Sequence, residues 1–151
     1  MGVRNRCRRT LLQARFAARV NGMSLARNIE ALRKMLDHPE PGLGAPLEPG
    51  DWAWIASLGE AVEASLDEIR KRIDDSLENW SMDRLSLVTG LVLEQAVGEM
   101  MFLDPPTPVP VVIDEAVELG RKFDSEDAAG LINGVLDTIA REIAPGSDRR
   151  R

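Results

Sequence analysis

Four arginines within six residues, Arg4, Arg6, Arg8 and Arg9, are the densest chemistry-bearing cluster of this 151-residue chain. Guanidinium groups set so closely suit a polyanion: each can contact a backbone phosphate or lay its plane on an unpaired base. The plainer reading is a solvated, solubilising tail. Charge distribution favours the first. Residues 1–20 hold six Arg and no acid, so the other 131 residues carry −12 of a chain whose net charge is −6. The local field, not the acidic total, decides what such a segment attracts. Arg149 to Arg151 give the tail, residues 145–151, a second small basic cluster.

Catalytic chemistry finds little support. His38 is the single histidine and stands beside Glu40 in a Pro-rich stretch, the setting of a spectator. Cys7 lies among arginines that would lower a thiol pKa, yet no base is placed to use it. No Gly-rich phosphate loop, metal-ligand pair or Ser/His/Asp set is visible, so neither an enzyme nor a cofactor or metal is expected. One cysteine allows no internal disulfide and fits a reducing, cytoplasmic setting. No apolar run approaches the roughly 18 residues a membrane span needs. An organellar transit peptide would be Arg-rich as this start is, but residues 1–20 contain no Ser.

The elements that must position these residues read as helices throughout. The chain has no Tyr and few alternating β-branched runs, against a sheet. Arg4 to Val20 fits a helix with Leu11 or Leu12, Ala14, Phe16 and Ala18 on its apolar side, the first arginines forming a flexible arm over residues 1–9. Ser24 caps a second helix to Leu36, with Leu25, Ile29, Leu32 and Leu36 as its stripe. Residues 38–50, rich in Pro and Gly, form a loop. Ile55, Leu58, Val62, Leu66, Ile69, Ile73, Leu77 and Trp80 then make one continuous stripe, starting from a cap at Gly50 or Asp51. Ser81 caps a further helix from Met82 to about Phe102, apolar on most faces and therefore central. A Pro-rich break, residues 103–110, precedes a helix with Val112, Ala116, Leu119 and Phe123 inward. Asp124 and Ser125 supply N-cap chemistry for a last helix, with Glu126 and Asp127 where a helix N-terminus favours negative charge. Its stripe runs through Leu131 or Ile132, Val135 or Leu136, Ile139 and Ile143. Asn133-Gly134 falls mid-helix, where close helix approach would explain the glycine. The expected fold is all-α: a compact bundle of six to seven helices in one domain, 1–151, with N-terminal helices packed on a C-terminal group of four.

The wording of the last pair is also recognisable. IDEAVELGRKF followed by SEDAAGLINGVLDTIA resembles the C-terminal signature of the NusB family of transcription antitermination factors. NWSMDRLSLV, Asn79 to Val88, looks like that family's NWPLDRLSPVDR, and RNRCRRTLLQARF, Arg4 to Phe16, like its RRRARExALQALY opening. Residues 20–78 carry general helical character only. The resemblance implies an all-helical RNA-binding protein that takes a boxA-like single strand of ribosomal RNA leaders. It implies a small-subunit ribosomal protein (NusE in its antitermination role) as partner, within the RNA polymerase antitermination complex. Arg4, Arg6 and Arg8 match basic positions of the RNA surface; Arg9 replaces a usual Glu. Phe16 occupies the position of a partner-facing Tyr, although by pattern it reads as core rather than interface. Glu126 and Asp127 match an acidic pair close to where RNA and partner meet. Leu131 stands where the family has a Phe that touches RNA, and a Leu cannot stack on a base.

The departures concentrate between Val88 and Glu99. A usual acid becomes Thr89, two usual arginines become Gly90 and Glu94, and a usual Tyr becomes Gly98. Arg15 replaces a usual Leu. The leading expectation is therefore an RNA-binding antitermination factor, with Arg4, Arg6, Arg8, Arg9, Asp127 and Leu131 toward RNA and Phe16, Thr89 and Glu126 toward the protein partner. The competing expectation is a diverged interaction module that binds a ribosomal protein, or a second copy of itself as a homodimer, with little RNA affinity.

Overall fold

The computed structural model describes residues 2–37, 45–77 and 82–143. His38, the Trp80 end of the third-helix stripe, the Ser81 cap and the basic tail lie outside them. Seven α-helices and one 3-10 turn account for the regular structure, and no strand occurs among the described residues. They are α1 (Val3–Asn21), α2 (Leu25–Leu36), α3 (Pro49–Ala64), α4 (Leu66–Ser76), the 3-10 turn Met82–Arg84, α5 (Leu87–Met101), α6 (Val109–Phe123) and α7 (Glu126–Ile143). The chain divides into two compact units, Met1–Glu60 and Ala61–Arg151, with the boundary inside α3.

In the first unit, α1 packs on α2 around Cys7, Leu11, Leu12, Ala14 and Leu25, joined on the α3 side by Trp52, Ile55 and Leu58. Gly22 ends α1 in the left-handed region at φ 74, its N–H bonded to Ala18 O at 3.0 Å. A residue with a Cβ would be strained there, so the turn into α2 depends on glycine. Ser24 caps α2 as its type predicts, accepting from Arg27 N at 3.1 Å. Buried Asn28 finishes the corner by bonding Asn21 Oδ1, Met23 O and Ser24 O.

The start of α3 comes earlier than the sequence suggests. Pro49 occupies the first turn, where its missing N–H costs nothing, and Asp51 Oδ2 reaches back to Glu48 N at 2.8 Å. The long stripe does not form one helix. At Ser65 (φ −119, ψ 20) the backbone N–H bonds Val62 O at 3.3 Å in a tightened turn, and α4 begins at the next residue. Ile69, Ile73 and Leu77 continue the buried stripe, whereas Leu66, at the break, is half-buried.

The second unit is built around α5, which packs against α4, α6 and α7. Every residue from Thr89 to Met100 is buried, as its apolar faces require. The cap of this helix is Ser86, whose Oγ accepts from Thr89 N at 3.1 Å. Glycines set two of the contacts. A Cβ on Gly98 would stand 2.5 Å from Val62 Cγ2, and one on Gly120 would collide with Ile132 Cδ1. Gly134, in contrast, is exposed with nothing within 4 Å of a Cβ, so it marks no close approach. On α6 the buried positions are Val112, Ala116 and Gly120; Phe123 is exposed. On α7 the stripe resolves to Ile132, Val135, Leu136 and Ile139.

Candidate nucleic-acid interface

The arginine cluster is not a flexible arm. Val3 already opens α1, so Arg4, Arg6, Arg8 and Arg9 ride its first two turns. Helical spacing puts Arg4 and Arg8 on one face. Both meet Trp54 of α3: the Arg4 Cζ lies 4.5 Å and the Arg8 Cζ 5.5 Å from the ring centroid. Arg8 is only 4 % exposed and donates to Asn5 Oδ1 at 3.0 Å. It is therefore a packed structural arginine and not one of four equivalent phosphate ligands. Arg6 is half-buried and donates to Ala45 O at 2.6 Å, which fastens the end of the loop before α3 to α1. Arg9 is half-buried and Arg4 exposed. Arg4, Arg6 and Arg9 are thus the members of the set that still reach water.

Beneath these arginines Cys7 is fully buried, its Sγ 4.0 Å from Asp51 O. Burial pushes its thiol pKa up, and the Asp51 charge pushes the same way, outweighing the nearby guanidinium groups. The thiol is inert packing. Arg15, one turn beyond Leu11, is also buried and does not lack a partner.

Phe16 is 40 % exposed on α1, and Val20, one turn further on, is more so. Of the two readings its pattern allowed, this placement favours a surface role.

The remaining expected site residues belong to the second unit. Thr89 is 3 % exposed and donates through Oγ1 to Asp124 Oδ2 at 2.8 Å, so it offers no surface to a partner. Ser86 Oγ donates to the same carboxylate oxygen at 2.5 Å. These two bonds hold the Asp124 carboxyl pKa below the usual range. The cap of α7 is Ser125, whose Oγ accepts from Ala128 N at 3.0 Å, and Asp124 instead clamps the α6–α7 turn to the start of α5. Glu126 and Asp127 are exposed on the first turn of α7, and Leu131 is half-buried one turn later. Glu126 Oε1 accepts from Arg121 Nε at 2.6 Å, and Arg121 also pairs with Glu118.

Glu94, a departure from the family pattern, has a physical setting: its carboxylate lies 3.4 Å from Arg70 on α4, itself partly exposed, while Glu94 is buried. Among the described residues no group of three or more His, Cys, Asp or Glu could hold a metal ion, and no helix is long and apolar enough to cross a membrane. Two features were missed by pattern reading. Trp54 falls between stripe positions and looks like a surface residue, and the Asp124 clamp spans 35 residues with no local signal.

Comparison with known proteins places this geometry. The family description "NusB family" matches residues 5–141. The transcription antitermination protein NusB of Natranaerobius thermophilus is 38 % identical over 97 residues, covering 64 % of this chain and 69 % of its own length. A solved NusB from T. maritima shares the fold with a TM-score of 0.80 at 27 % identity, covering 98 % of this chain and 97 % of that one. The solved structure of antitermination factors NusB and NusE in complex with dsRNA gives a TM-score of 0.79 at 21 % identity, covering 94 % and 98 %, a likeness of fold. Matched along almost all of its described helices, the chain belongs to the NusB family.

Proposed function

We propose that this protein is a non-enzymatic, cytoplasmic RNA-binding antitermination factor that takes a boxA-like single strand together with a small-subunit ribosomal protein in the NusE role. On this reading it acts within the RNA polymerase antitermination complex, with residues 1–151 as one functional domain. The carrying observation is electrostatic. Residues 1–60 hold nine Lys and Arg against six Asp and Glu, a net +3, while residues 61–151 hold ten against nineteen, a net −9. The positive charge gathers on α1, where Arg4, Arg6 and Arg9 remain accessible to phosphates. Phosphate contacts position a strand without specifying it, so sequence preference is assigned to the exposed turn of Glu126, Asp127 and Leu131. Phe16 and Val20 are proposed as apolar contacts for the ribosomal protein, with Glu126 at its border. Fold likeness to the NusB–NusE complex with dsRNA supports an RNA and a NusE-type partner, while the single strand comes from the family resemblance.

The interaction-module reading draws on the burial of Arg8 and the exposed Phe16. A gel shift separates the two. A boxA-like RNA should be retarded by the protein, and adding the cognate ribosomal protein should tighten that binding by the roughly 5- to 150-fold typical of coupled sites. Retention of the ribosomal protein with no RNA shift would assign the interaction module.

A further inference from the structure

We propose that the Arg4 guanidinium, held over the Trp54 ring, is a stacking platform for one unpaired nucleobase; the inference rests on the RNA reading above and goes beyond phosphate contact. Arg4 and Arg8 share one Trp ring on successive turns of α1, at 4.5 and 5.5 Å. Their situations differ. Arg8 is buried and bonded to Asn5, so its contact with Trp54 completes the packing of the first unit. Arg4 is exposed, and its side chain is engaged by Trp54 and by the Cys7 thiol beneath it.

A guanidinium resting on an aromatic ring is drawn there by the ring's quadrupole, which engages one face of the plane and leaves the other for a second partner. That face is planar, cationic and already ordered, so a base stacking on it meets little of the ordering cost that a free arginine side chain would impose. Arg6 and Arg9, two and five residues on, leave the helix on other faces, so Arg4 alone of the accessible arginines carries the platform. Trp54 is held in turn, two residues from buried Trp52 and next to buried Ile55. A lysine at position 4 would keep the charge but offer no plane. This difference separates stacking from simple attraction.

The test uses the whole protein and two single strands of equal length, an oligoadenylate and an abasic ribose-phosphate strand. The parent should bind the oligoadenylate roughly 5- to 150-fold more tightly, the span expected for one stacked base. Arg4→Lys should lose most of that preference, leave abasic binding unchanged and keep the salt slope. Trp54→Leu should behave likewise, and the double variant should be no weaker than either single one. If Trp54→Leu does not fold by circular dichroism, the exposed Arg4→Lys substitution decides alone. A parent that binds both strands equally, or an Arg4→Lys protein that binds oligoadenylate as the parent does, overturns the platform and leaves RNA binding standing. A parent that binds neither strand overturns both.

Discussion

Asp124 joins two helix ends through one carboxylate oxygen. Ser86 and Thr89 both donate to it, and Ser86 simultaneously caps α5. A carboxylate accepting two hydroxyl bonds is favoured in its charged form, which is why its pKa is lowered. The folded state therefore gains stability from this group above the unfolded carboxylate pKa and loses it as pH falls through the lower folded value. Asp124→Asn should cost about 1 kcal/mol at neutral pH, less than a buried charged bond because the side chain is exposed to solvent. Urea unfolding of parent and variant should show that gap at pH 7 and see it shrink below about pH 4. A gap unchanged at acid pH would mean the bonds do not depend on the charge. None of this was legible locally: Asp124 beside Ser125 reads as cap chemistry, and only the tertiary fold brings Ser86 and Thr89 to it. Thr89, expected at a partner surface, is spent on the same clamp.

At the scale of elements, periodicity found every helical region but merged α3 with α4 and began α5 at Met82, where a 3-10 turn precedes the helix start at Leu87, and these errors have physical causes. The stripe from Ile55 to Ile73 is buried as expected apart from Leu66, yet it is shared by α3 and α4. Hydrophobic spacing is blind to a backbone break that preserves the same face, and at Ser65 the backbone makes that break with no side-chain cap hydrogen bond. Glycines mislead in the same way, because their role depends on a neighbour that the local sequence does not contain. Gly98→Ala should destabilise by about 1–3 kcal/mol, since the β-branched Val62 side chain has little freedom to move aside. Gly134→Ala should stabilise by up to about 1 kcal/mol, because the added methyl meets open space in a helix interior. Opposite signs in thermal unfolding are the expected outcome. A Gly98→Ala protein as stable as the parent would mean that α5 does not pack so closely on Val62, and a destabilised Gly134→Ala protein would mean that position 134 is not open.

Across the whole molecule, the all-helical class and the family were legible because helical stripes and the three signature stretches are local properties of the chain. The candidate site was legible only in part. Residue type identified the arginines, but side-chain burial separates Arg8, which packs against Trp54, from Arg4, Arg6 and Arg9, which still reach solvent. That division changes the expected electrostatics from four charged contacts with the strand to three, Arg4 keeping its charge beside the strand whether or not a base stacks on it. With about −0.7 per contact on a single strand, log K should fall with log salt at a slope near −2. The direct measurement is a salt titration of boxA-like single-stranded RNA binding for the parent and for Arg4→Ala, Arg6→Ala and Arg9→Ala combined. The account predicts a parent slope near −2, flattened toward zero in the triple variant, with affinity reduced for every RNA alike and the helical circular dichroism retained. A triple variant with the parent's affinity and slope would contradict it, leaving the accessible arginines of α1 as a solvated surface.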